Sequence, residues 1–100
     1  MRGRLHTPPL VLTPDSVRMV ADLPSLEALT VPMLQDIAQQ GVEIILVGTG
    51  PRHVLLPLAL MRDAAACGIG VEVMSTPAAC RSYNVLVSEH RAVALLLPAG

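Results

Sequence analysis

Two stretches of this chain combine residue types that could hold a ligand. The first is Gly48-Thr49-Gly50, followed by Pro51, Arg52 and His53. It directly follows Ile44-Ile45-Leu46-Val47, apolar on both faces, which predicts a buried strand. Glycines at the end of such a strand permit positive φ and let a ligand approach the backbone closely. The dinucleotide fingerprint requires a third glycine where His53 stands, and a helix that starts at once. Here the next helix signal waits until Pro57. A tight turn off the strand end is the plain alternative. The second stretch runs from Ser75-Thr76-Pro77 to Asn84. Thr76 as N-cap with Pro77 behind it predicts a helix start whose free N–H groups and positive dipole end suit a small anion. Gly48, Thr49, Gly50, Arg52, Ser75 and Thr76 thus form the candidate anion-binding set. An ordinary capped helix beside a tight turn is the competing reading.

Helical geometry divides the rest of the second stretch. At about 100° per residue, Ala79, Cys80, Tyr83, Leu86 and Val87 share one face, while Arg81, Asn84 and Val85 point the other way. The first set reads as core, with Cys80 a small packed residue; a reactive Cys80 would need an exposed thiolate. The second set mixes a cation, an amide and an aliphatic side chain, which suits a protein contact surface or a solvated helix face.

Catalytic constellations are missing. His6, His53 and His90 lack metal-ligand spacing, and Cys67 and Cys80 form no C-x-x-C pair. No G-x-S-x-G elbow occurs, and without lysine no Schiff base or Walker lysine can form. Glu43 and Glu72 fall on different strands with no reason to act as acid and base, and Glu72 near Arg81 reads as a buried structural ion pair. The sequence therefore predicts no catalytic residue, no metal, no cofactor and no enzymatic activity.

Composition narrows the class. One hundred residues suit a single domain, and 52% apolar against 15% charged residues favours a packed core over disorder. Tyr83 is the sole aromatic, so aliphatic side chains must fill the interior. A net charge of −1 lacks the basic stripe of a nucleic-acid binder. No apolar run approaches the ~20 residues of a membrane-spanning helix. Pro8, Pro9 and Pro14 break the apolar part of the N-terminus, against a signal peptide. Two cysteines without such a signal suggest reduced thiols, so a soluble, cytoplasmic protein is expected. A chain this short and apolar could also form a homo-oligomer.

The elements that must position these residues follow in order. Residues 1–9 read as a flexible or truncated N-terminus, 10–97 as one domain and 98–100 as a tail. Leu10–Leu12 and Val17–Ala21 flank a Thr13-Pro14-Asp15-Ser16 turn, a hairpin-like start. A helix capped by Thr30 ends at Gly41, strand Val42–Val47 follows, and a helix Pro57–Cys67 stops at Gly68. Then come strand Ile69–Met74, the helix opened at Thr76 and ending near Ser88, and strand Ala92–Leu97. Two early strands and then α-β-α-β-α-β predict a three-layer α/β domain on a mixed sheet. Right-handed crossovers place strands 42–47 and 69–74 side by side.

Three blocks also carry a resemblance: Ile45-Leu46-Val47-Gly48-Thr49-Gly50, Gly68-Ile69-Gly70-Val71-Glu72-Val73-Met74, and Ala79-Cys80-Arg81-Ser82-Tyr83-Asn84-Val85-Leu86. Together they resemble the small α/β family that includes mitochondrial complex I assembly factor 3. The resemblance covers roughly residues 10 to 97. It implies a three-layer domain whose last strand runs antiparallel to the others, an assembly or interaction role in the mitochondrial members, and no established enzymatic activity. The family pattern has Asp where Ser75 stands and Thr where Ser82 stands, so no acid role carries over to position 75. The leading expectation is a non-enzymatic interaction domain with a protein partner, of respiratory-complex assembly type. The alternative is a protein binding a small molecule or anion through the Gly48 loop and the Thr76 helix start.

Overall fold

The computed structural model describes residues 10–13, 16–19, 29–51 and 56–97. Among these residues five strands and three helices occur in the order β1 (Leu10–Thr13), β2 (Ser16–Met19), α1 (Val31–Ala38), β3 (Ile44–Gly48), α2 (Leu58–Ala66), β4 (Gly70–Met74), α3 (Thr76–Ser88) and β5 (Val93–Leu97). The strands form one mixed sheet in the order β2-β1-β5-β3-β4.

The apolar pattern explains that order. β3 and β5 are continuous aliphatic runs, and such runs require cover on both faces. Both lie inside the sheet, with Ile45, Leu46, Val47 and all of Val93–Leu97 buried. β4 instead interrupts Val71 and Val73 with exposed Glu72, and it takes an outer position. As expected, it pairs in parallel with β3, with Leu46 opposite Glu72.

Side-chain alternation splits the interior into two layers. Ile45, Val47, Ala94 and Leu96 face Leu34 and Ile37 of α1 and Ala64 of α2. Leu46, Val93, Leu95 and Leu97 face Ala79 and Tyr83 of α3. The result is the predicted three-layer α/β arrangement. Burying one of these leucines stabilises the fold by about 1.5–3 kcal/mol.

β5 runs antiparallel to β1 but parallel to β3. The expectation that the last strand opposes all the others therefore holds only on its β1 side. The reason is topological. α3 returns the chain to the end of the sheet where β4 began, so β5 must rise in the same direction as β4 and β3. The hairpin at the start is confirmed by the β1–β2 register, Leu10 opposite Met19 and Thr13 opposite Ser16. Expected residues 20 and 21 of β2, and the segments 1–9 and 98–100, lie outside the described residues.

Helix ends sit within three residues of their sequence signals, α1 ending at Ala38 ahead of Gly41. Thr30 occupies the N-cap of α1 in extended conformation, yet its hydroxyl makes no capping bond. α2 closes with the Gly68 N–H donating to the Ala65 carbonyl (2.9 Å) and the Ile69 N–H to the Ala64 carbonyl (3.0 Å), with Gly68 at φ 78°. This is a Schellman motif. α3 ends the same way: His90 N–H to Val87 carbonyl (3.0 Å) and Arg91 N–H to Leu86 carbonyl (2.9 Å), but with His90 at φ 62°.

Candidate functional site

The parallel β3–β4 pairing brings the Gly48 loop against the start of α3, as the sequence predicts. Gly48 is buried there, and a Cβ added to it would lie 2.8 Å from Leu97 Cδ2, 2.9 Å from Thr76 Oγ1 and 3.2 Å from Thr76 Cα. The residue must be glycine because the N-terminus of α3 comes so near.

The donors at this crevice bond to one another. The Thr49 N–H donates to the Met74 carbonyl at 2.9 Å, and its hydroxyl is 3.2 Å from the same oxygen. The Gly50 N–H donates to Thr76 Oγ1 at 2.8 Å, and the Thr76 N–H returns to the Gly50 carbonyl at 2.7 Å. Ser75 is the N-cap of α3, its Oγ accepting from the Ala78 N–H at 3.4 Å. Assignment of the cap to Thr76 is thus corrected by one residue, because the Thr76 hydroxyl is already committed to Gly50. Pro77 has no N–H, and the Ala79 N–H bonds the Ser75 carbonyl at 2.8 Å. Every donor of the first turn therefore has a partner within the chain. An anion here would have to displace these bonds. Arg52 and His53 lie outside the described residues.

The second region lies on α3. Ala79 and Tyr83 are buried, and Cys80, Leu86 and Val87 pack against the same layer, whereas Arg81, Asn84 and Val85 are exposed. This is the division that helical geometry predicts. Val85 is 54% exposed. Arg81 and Val85 border an open groove of about 420 Å³, shared with Ile44, Glu72, Ser82, Leu86 and Arg91. Glu72 is exposed and has no ion pair with Arg81 among the described residues. The expected buried pair is corrected for a simple reason: β4 is an outer strand, so Glu72 reaches water.

An ion pair does form at the groove's far end, between Arg91 Nε and Glu43 Oε1 at 2.8 Å. The hydrogen bond from Arg91, with its charge, holds the Glu43 carboxyl below its ordinary pKa. Sequence reasoning missed this pair because the two residues are 48 positions apart. The usable signal was register, since parallel β3 and β5 place Ile44 opposite Val93 and bring the preceding residues together.

No group of three or more His, Cys, Asp or Glu that could hold a metal occurs among the described residues. Cys67 is exposed and accepts from Gln35 Nε2 at 3.3 Å; Cys80 is half-buried. Cys67 caps α2 and Cys80 lies within α3, on opposite faces of the sheet, and neither forms a disulfide.

Comparison with known proteins fits this picture. Residues 1–98 match the family described as protein of unknown function (DUF498/DUF598). The chain belongs to the DUF498/DUF598 family. A similar relative is the "13 kDa major membrane protein" of Francisella tularensis, 33% identical over 90 residues, covering 89% of this chain and 73% of that protein. The assembly factor 3 of the NADH dehydrogenase [ubiquinone] 1 alpha subcomplex from Danio rerio is 41% identical over 58 residues. That match covers 57% of this chain and only 33% of the zebrafish protein. An NMR structure from Xanthomonas campestris superposes with a TM-score of 0.79 at 35% identity, over 91% of this chain and 69% of that one. The resemblance read from the three sequence blocks is therefore confirmed. This DUF498/DUF598 chain is thus similar in sequence to relatives named for assembly and for membranes. No helix among its described residues is long and apolar enough to cross a membrane.

Proposed function

We propose that this chain is a non-enzymatic interaction domain of assembly-factor type, which contacts a partner protein through the α3 face bearing Arg81, Asn84 and Val85. The observation that carries the reading is Val85, 54% exposed between an exposed cation and an exposed amide, beside an open groove. An aliphatic centre with a polar rim is the makeup of a protein contact. The assembly-factor relatives support a protein rather than a small molecule as the partner. The internally bonded crevice at Gly48 and Thr76 supports the same choice, since it offers an anion no spare first-turn donor. We place the domain in the cytoplasm, where its two free cysteines stay reduced.

The experiment is a native-lysate pulldown with the wild type and an Arg81→Glu, Val85→Asp variant side by side. Both positions are exposed, so the variant should fold normally. A protein retained by the wild type and lost from the variant is the expected result. Matching lanes, or no captured protein, would sink the reading.

A further inference from the structure

Among the described residues β4 is bonded on one side only, to β3. The Thr49 N–H donates to the Met74 carbonyl at 2.9 Å, which shows that the Met74 main chain turns toward β3. Strand direction alternates with a period of two. Glu72 and Gly70 therefore also turn their N–H and C=O groups inward, and Val71 and Val73 turn theirs to the open side. The Val71 and Val73 side chains pack on the α1/α2 layer, whereas Glu72 lies on the α3 side.

We infer that a second copy of this chain covers this edge, with β4 pairing antiparallel to its twin and Glu72 of each copy meeting Arg81 of the other. The inference rests on reading the α3 face as a protein-contact surface, and it names what covers the β4 flank of that face. Main-chain phase restricts the geometry. Hydrogen-bonded pairing must set Val71 against Val71 or Val73 against Val73 of the twin, since Val71 against Val73 would put the two Glu72 directly opposite, and residues directly opposite in an antiparallel pair share a face. The α1/α2 layers of the two copies then fall on one side of the joined sheet. Both α3 helices, both Glu72 and both Arg81 fall on the other.

Charge selects the occupant. Glu72 and Arg81 have opposite signs and line one groove, and neither has an ion-pair partner among the described residues. A surface carrying one such charge of each sign complements its own image under a two-fold rotation, as a contact between identical copies requires. A partner strand of a single charge sign would satisfy one and repel the other. The chain's net charge of −1 opposes self-association only weakly.

The test is the mass of the purified full chain by light scattering during gel filtration, with wild type, Glu72→Arg and Arg81→Glu. The wild type should run at twice the 10.5 kDa chain mass. Each single variant should run as a monomer with unchanged circular dichroism, its dissociation constant raised on the order of tenfold or more. An equimolar mixture of the two variants should recover the doubled mass, because each then offers the sign the other lacks. A wild type that stays monomeric at about 1 mM chain, or a dimer indifferent to both variants, would overturn the inference. The measurement uses the chain alone, so a monomeric result alongside a captured partner in the pulldown would remove the dimer and leave the proposed function standing.

Discussion

Gly50 and Thr76 are joined by two reciprocal hydrogen bonds: Thr76 N–H to the Gly50 carbonyl at 2.7 Å, and Gly50 N–H to Thr76 Oγ1 at 2.8 Å. They tie the end of β3 to the start of α3 across 26 residues of sequence. The stretch that the sequence offers as a candidate anion site also serves, in the folded chain, as a clasp between two elements.

Replacing Thr76 with Val leaves the part-buried Gly50 N–H without its acceptor. The expected loss is about 1–3 kcal/mol, whereas Thr76→Ser keeps the hydroxyl and most of the stability. Urea denaturation separates the two. Equal midpoints for Val and Ser would show that the hydroxyl contributes nothing.

Gly48→Ala should destabilise by about 1–3 kcal/mol, since an overpacked core must shift to accept the added carbon. Trimming Leu97 to Ala in the same chain relieves only part of the crowding. The new Cβ would still lie 3.2 Å from Thr76 Cα, and main chain cannot rotate away. In a domain of this size, each kcal/mol moves the thermal midpoint by roughly 4–8 °C.

The two Schellman closures differ at one residue. Gly68 adopts φ 78° without strain, while His90 holds φ 62° against the clash of its own Cβ. His90→Gly should therefore stabilise the domain by about 1 kcal/mol, and Gly68→Ala should destabilise it by a similar amount. Thermal melts of both variants check the opposite signs.

The Glu43–Arg91 pair makes a signed pH prediction. The Glu43 carboxyl titrates lower in the folded chain than in the unfolded one, chiefly through its hydrogen bond from Arg91. The stabilisation it brings is present above the unfolded carboxylate pKa and is lost as pH falls through the folded value. Glu43→Gln should flatten that part of the stability–pH curve and lose its dependence on added salt, since both side chains are exposed. An NMR titration placing Glu43 at or above ordinary carboxylates would contradict this.

Much of the molecule was legible from local pattern alone. The aliphatic runs at 44–47 and 93–97 required strands covered on both faces, and Gly41 and Gly68 marked helix ends. The 3.6-residue period separated Tyr83 from Arg81, Asn84 and Val85. These features depend on neighbours in the chain, which a sequence displays directly. The order of strands was a different matter. That β5 lies between β1 and β3, parallel to one and antiparallel to the other, follows from which faces could be buried together across the whole domain. The same long-range choice decided the fate of each candidate residue. It closed the Gly50 and Thr76 hydrogen-bonding groups on each other, put Glu72 on an outer strand, and joined Glu43 to Arg91. Residue types along the chain determined what could be buried and what could donate or accept. Which donor met which acceptor was decided only when distant strands packed, because a hydrogen bond or an ion pair forms between neighbours in space.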